Sequence, residues 1–146
     1  MPLTPNTQAP DFSLPDQNGT LVSLADLIAE GPAVVFFYPK DDTPGCTRQA
    51  CSFRDNYARL TAKGIRVAGI SRDDAGSHTA FQQKHELPFT LLSDTDGAVH
   101  QAYGCTLFGL LTRRVTFLIG PDRRIRLAHE SNFRMDSHVE AVLRAL

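Results

Sequence analysis

The sequence is poor in cysteine and carries no excess of charge, and each shortage excludes something. Three cysteines are too few, and odd in number, for the framework of a disulfide-stapled secreted domain. A net charge of −1 removes the electrostatic footprint of a nucleic-acid binder, and Arg113-Arg114 and Arg123-Arg124 are too short to restore it. No apolar run approaches the roughly 20 residues that span a bilayer, so no membrane segment is expected. Met1 to Gln8 have neither a positive start nor an apolar stretch, which reads as no secretory signal and a cytoplasmic chain with reduced thiols. There is no internal repeat, no low-complexity segment, no linker and no Gly-rich phosphate loop.

What is present is an ordinary globular composition, 42% apolar and 21% charged, over a length that suits one domain, residues 1–146. Asp11 to Leu14 and Thr20 to Leu24 read as the arms of an N-terminal β-hairpin turning at Asn18-Gly19. Ser23 caps a short helix through Ala29, and Ala33 to Tyr38 is apolar throughout, as a strand covered on both faces must be. A helix then carries Phe53, Tyr57 and Leu60 at helical spacing and ends at Lys63-Gly64. Strands follow at 65–70, 89–92, 115–119 and 125–128, with helices over 77–85, from Asp96-Gly97 to Tyr103, and from Asp136 to Leu146. This order predicts a layered α/β domain whose central strands are mostly parallel.

Several of the chain's features converge on Cys46. It lies in the first turn of the predicted helix, where unpaired N–H groups and the helix dipole favour negative charge. Gly45 permits close approach of a ligand, and Pro44 offers no competing donor. Thr43 can bring its hydroxyl beside the sulfur, and Pro39 can cover one side of it. Because a thiol attacks as its thiolate, this is the environment a nucleophilic cysteine needs. A buried cysteine serving as a small hydrophobe is the competing reading. Cys51 adds a second argument. Residues five apart on an intact helix are separated by about 7.5 Å along the axis and about 140° around it. A disulfide needs Cα atoms nearer than about 7 Å, so the two sulfurs join only if the helix unwinds. That makes the pair a poor staple and a plausible transient bridge.

Pro39-x3-Thr43-x2-Cys46 resembles the peroxiredoxin signature. The run from Phe37 to Thr47, with Ala50-Cys51 and Phe53-Arg54-Asp55, is similar to the peroxiredoxin Q subfamily, also called bacterioferritin comigratory protein. The resemblance extends to Ala9–Asp16, Gly69-Ile70-Ser71, Leu91–Asp94, Ala102-Tyr103-Gly104 and Arg114–Ile119. It implies a thioredoxin-like fold: a central mixed sheet with helices on both faces. It implies thiol-dependent reduction of hydrogen peroxide and organic hydroperoxides without metal or organic cofactor. Cys46 would be the peroxidatic cysteine and Cys51 the resolving one. Thr43 and the Gly45 and Cys46 amides would hold the peroxide, Pro39 would shield the sulfur, and Arg114 would fold back over the site. Thioredoxin or a similar dithiol protein would be the reductant, and the chain would act as a monomer, with a dimer as the alternative.

Two positions depart from the family pattern. Gln49 stands where Glu is frequent, and Gly120-Pro121 follows the apolar strand where Asp is usual. Cys105 lies outside the pattern and reads as a partly buried structural cysteine, with competition against Cys51 as its functional alternative. His78 and His85, seven apart, could share a helix face, but no third metal ligand is placed by spacing. Asp73-Asp74 and Asp94-x-Asp96 read as caps or turn formers. A thioredoxin-type oxidoreductase lacks its Cys-x-x-Cys here, and a non-catalytic redox sensor would share the same residues.

Overall fold

The computed structural model describes residues 1–109 and 111–146. The chain opens with a hairpin of β1 (Ser13–Pro15) and β2 (Leu21–Ser23), paired antiparallel with Leu14 opposite Val22. Asp16 accepts the amides of Asn18 and Thr20 through its carboxylate, and Gly19 takes the positive φ of 80° that the turn requires. Helix α1 (Leu24–Leu27) starts on a capping box in which Ser23 and Asp26 satisfy each other's backbone amides.

Strand β3 (Ala33–Phe37) is buried at every residue because it lies at the centre of the sheet. Helices α2 (Pro44–Asp55) and α3 (Tyr57–Thr61) lead to β4 (Arg66–Ser71), and α4 (Ala75–His85) leads to β5 (Thr90–Ser93). After α5 (Ala98–Ala102) come a small hairpin of β6 (Thr106–Leu107) and β7 (Leu111–Thr112), then β8 (Val115–Ile119), β9 (Ile125–Glu130) and α6 (Ser137–Arg144). The five-stranded order is β5-β4-β3-β8-β9. β3, β4 and β5 are parallel, whereas β8 is antiparallel to both β3 and β9, so the sheet is mixed rather than mostly parallel. Strands β8 and β9 are joined by a tight turn, which needs no crossover.

Alternate residues of the sheet feed two cores. Val35, Phe37, Val115, Phe117 and Ile119 pack with Leu24, Leu27, Tyr103 and Cys105 on one face. Val34, Phe36, Val67 and Leu118 pack with Cys46, Ala50, Phe53, Phe81 and Val142 on the other.

The sequence predicts one helix from the Cys46 region to Lys63, and the structure breaks it at Asn56. The Asn56 side-chain amide donates to the Ser52 carbonyl at 2.9 Å, taking the acceptor that its own backbone N–H would use in a continuous helix. The β6–β7 hairpin is absent from the sequence reading because two-residue strands carry no periodic signal. No helix among the described residues is long and apolar enough to cross a membrane.

Candidate active site at the start of α2

The site forms where β3 ends. Pro39 stops the strand and is itself exposed, while the next carboxylate, Asp41, is buried. Asp42 adopts a left-handed φ of 59° and holds Lys84 Nζ at 2.9 Å and His85 Nε2 at 3.2 Å with its carboxylate. Thr43 is the N-cap residue, but its hydroxyl donates to the Lys40 carbonyl at 2.9 Å rather than capping the helix. Pro44 has no N–H, and the first amide bonded into the helix is Thr47, to the Thr43 carbonyl at 2.8 Å. The Gly45 and Cys46 amides therefore lie ahead of the helical ladder.

Cys46 is 1% exposed, and its sulfur receives a hydrogen bond from Arg114 Nη1 at 3.2 Å. The same nitrogen donates to Gln49 Oε1 at 2.8 Å, one helical turn along from Cys46. Arg114 comes from 68 residues away because of the β3–β8 pairing. Phe37 lies opposite Val115, so the residue before Val115 reaches the loop after Phe37. Alternation decides between the two arginines. Thr116, two residues on, faces α6, and Arg114 shares that side. Arg113 instead meets Glu130 at 3.4 Å at the surface. A Cβ on Gly45 would sit 3.2 Å from Arg114 Nη2 and 3.7 Å from the Met135 sulfur. A side chain there would push the guanidinium back by a few tenths of an ångström from the helix start. Met135 is a site neighbour with no signal in the sequence.

Cys51 is half-buried on the same helix and lines a groove of about 490 Å³ with Arg48, Met135 and the fully exposed Phe133. Both thiols are free, and α2 is continuous between them. Cys105 is fully buried in the core on the opposite face of the sheet, more deeply than the sequence predicts. Burial, reinforced by the Glu130 charge, pushes its thiol up to about 12, so it stays protonated.

His138 supports the strand that carries Arg114. Its Nδ1 accepts from the Thr116 hydroxyl at 2.8 Å, and its Nε2 donates to the Ser131 carbonyl at 2.9 Å. Ser131 N in turn donates to the Arg114 carbonyl at 3.3 Å. Burial pushes His138 down to about 4 against the opposing pull of the Ser131 carbonyl, with His129 and Arg114 adding to the depression. An unfolded histidine titrates near pH 6.5, so the stability is complete above that pH and is lost as the pH falls toward about 4. Between pH 7 and pH 5 this one group should cost about 2 kcal/mol, which is the amount by which the loss in denaturant stability should shrink in His138→Gln.

The expected carboxylate roles hold in part. Asp74 caps α4 through Ser77 N, and Asp94 accepts the amides of Val99 and His100 at the start of α5. Asp73 instead accepts from the backbone of Asp41 at 2.8 Å. His78 and His85 do not converge on a common ligand: they bind the adjacent aspartates Asp41 and Asp42.

A mixed sheet with a buried thiol at a helix start, under a buried arginine, places the chain among thioredoxin-like folds. The profile of the AhpC/TSA family matches residues 5–128, and the chain belongs to that family. It is similar to the chloroplastic peroxiredoxin Q of Suaeda salsa, 45% identical over 139 residues that cover 94% of this chain and 64% of that protein. The chain thus spans about 64% of the length of several plant relatives it matches. The crystal structure of peroxidoxin BcpB from Mycobacterium tuberculosis superposes with a TM-score of 0.92 at 36% identity, covering 97% of this chain and 94% of that one. The bacterioferritin comigratory protein of Xanthomonas campestris, described by its alkyl peroxide reduction activity, gives 0.84 at 31% identity over 92% and 88% of the two chains.

Proposed function

We propose that the protein is a thiol-dependent peroxidase. The observation that carries the reading is the 3.2 Å hydrogen bond from Arg114 Nη1 to Cys46 Sγ, made between two buried side chains. An arginine stays charged at every relevant pH, so it favours the thiolate and polarises an O–O bond laid across it. The Cys46 thiolate attacks one peroxide oxygen, the O–O bond breaks, and the other oxygen leaves with a proton as water or alcohol. Cys46 is then a sulfenic acid. The Gly45 and Cys46 amides supply donors for the peroxide. With its proton committed to Lys40, the Thr43 hydroxyl offers a lone pair to the peroxide O–H. Pro39 forms the outer rim.

Cys51 then attacks the Cys46 sulfur after α2 unwinds, water leaves, and a disulfide remains. A dithiol donor of thioredoxin type reduces it, giving up two electrons and two protons. Hydrogen peroxide and organic hydroperoxides are the substrates proposed, and no metal or organic group takes part. The chain is proposed to work as a monomer, in the cytoplasm, where a dithiol pool resets each cycle; the plant relatives' names place those proteins in chloroplasts.

The experiment is peroxide consumption with thioredoxin and its reductase as electron source. Multiple turnovers are expected. A protein that reduces disulfides but leaves peroxide untouched would be an oxidoreductase. One that is oxidised once and not reset by the donor would be a sensor.

A further inference from the structure

A buried polar cluster lies on the far side of the loop that carries Thr43. Asp41 accepts from the Tyr38 hydroxyl at 2.6 Å, the Ser77 hydroxyl at 2.8 Å and His78 Nδ1 at 2.7 Å, and its amide donates to Asp73. His78 is completely buried, and its Nε2 lies 3.0 Å from the Leu92 carbonyl on β5. The Leu92 carbonyl opposite Nε2 accepts a hydrogen bond there, and the Nδ1 edge meets the Asp41 carboxylate at 2.7 Å. The imidazole thus links the loop to the sheet through α4. A buried pair of this kind is a poor source of net stability, so its presence calls for another explanation.

The cluster acts on a short lever. Asp41 lies two residues before Thr43 and five before Cys46, and Asp42 is tied separately to Lys84 and His85. Past Pro44, the next side chains of α2 held by a distant residue are Cys46 and Gln49, both on Arg114. The unwinding proposed above follows the attack, so the amides and hydroxyl that receive peroxide need to be in place before α2 opens.

We infer that His78 is a positioning residue, acting through Asp41 to hold the Lys40–Thr43 loop, and with it the peroxide-binding start of α2, in place for the attack. The inference rests on the peroxidase reading. His78 touches neither peroxide nor sulfur. Its effect should fall on the attack step and spare the resolving step, since misplacement by about 1 Å can cost up to about 100-fold in rate.

Two amide variants separate positioning from mere structure. In His78→Asn the side-chain nitrogen occupies the place of Nδ1 and keeps the bond to Asp41. In His78→Gln it occupies the place of Nε2 and keeps the bond to Leu92. Each loses one buried hydrogen bond, so their denaturant midpoints should fall alike. The protein is mixed with stoichiometric hydrogen peroxide, quenched in acid at intervals, alkylated and weighed by mass spectrometry. Loss of the Cys46 thiol and gain of the Cys46–Cys51 disulfide are timed separately. Attack is expected to slow by about 10- to 100-fold in His78→Gln and to stay within about twofold in His78→Asn, with resolution unchanged in both. Ser77→Ala, which removes a half-buried hydroxyl from Asp41 and leaves the core intact, should slow attack about threefold, and it tests the same lever should His78→Gln fail to fold. Equal attack rates in the variants, or attack and resolution falling together, would overturn the inference while the peroxidase reading stands. A wild-type Cys46 inert to peroxide would overturn both.

Discussion

Replacing one atom, in Cys46→Ser, is expected to lower peroxide turnover on the order of 10⁴-fold or more, to the background set by the thiol donor alone. A hydroxyl in that position neither ionises near neutral pH nor takes an oxygen atom from peroxide. The protein should still fold, because the side chain is small, 1% exposed, and already receives a hydrogen bond from Arg114 that an oxygen can accept. The informative contrast is Cys51→Ser. It should consume one equivalent of peroxide at the wild-type rate and then stop at the sulfenic acid, which further peroxide carries to sulfinic acid. Full turnover in Cys46→Ser would remove the thiolate from the mechanism altogether.

The second large effect belongs to Arg114. Arg114→Met keeps much of the volume and removes the charge together with the hydrogen bonds to Cys46 Sγ and Gln49 Oε1. A loss of about 10²- to 10³-fold in kcat/KM for peroxide is expected, the usual cost of deleting one preorganised donor at a reacting oxygen. Arg114→Lys should recover little of it, since a single ammonium cannot serve the sulfur, the amide and a peroxide oxygen with the fixed fork of a guanidinium. Arg113→Met, by contrast, breaks only the surface pair with Glu130 and should leave peroxide kinetics within about twofold. Steady-state peroxide kinetics at saturating donor measure all three.

Gln49 bears on the same bond. It is fully buried and accepts from Arg114 as an uncharged amide, so the guanidinium is held without being neutralised. The departure from the frequent Glu thus preserves the hydrogen bond and drops the compensating charge.

How much of this was legible in the sequence depended on how local the physics was. Pro44, Gly45 and Cys46 are consecutive, and the chemistry of a helix start can be read from them alone. The same is true of the Ser23–Asp26 capping box and the Asn18-Gly19 turn, since turns and caps are written in adjacent residues. Arg114 could be chosen over Arg113 only by resemblance, because the choice is made in space, by the pairing of Phe37 with Val115 and the alternation along β8. The bonds from Asp41 to His78 and from Asp42 to His85 span 37 and 43 residues and leave no periodic trace. Two histidines seven apart on one helix invite a search for a metal, and the partners they found were carboxylates on a loop. Asn56 was visible as a residue, but that its side chain would take the Ser52 carbonyl and split the helix depended on competition between side chain and backbone.

The central claim is that Cys46 and Cys51, held apart on one continuous helix, become a disulfide when Cys46 meets peroxide. Tryptic mapping after one equivalent of hydrogen peroxide tests it directly, because Arg48 lies between the two cysteines. The expected result is a disulfide joining the 41–48 and 49–54 peptides. A disulfide joining 41–48 to the 85–113 peptide that carries Cys105, or an unmodified Cys46, would contradict it.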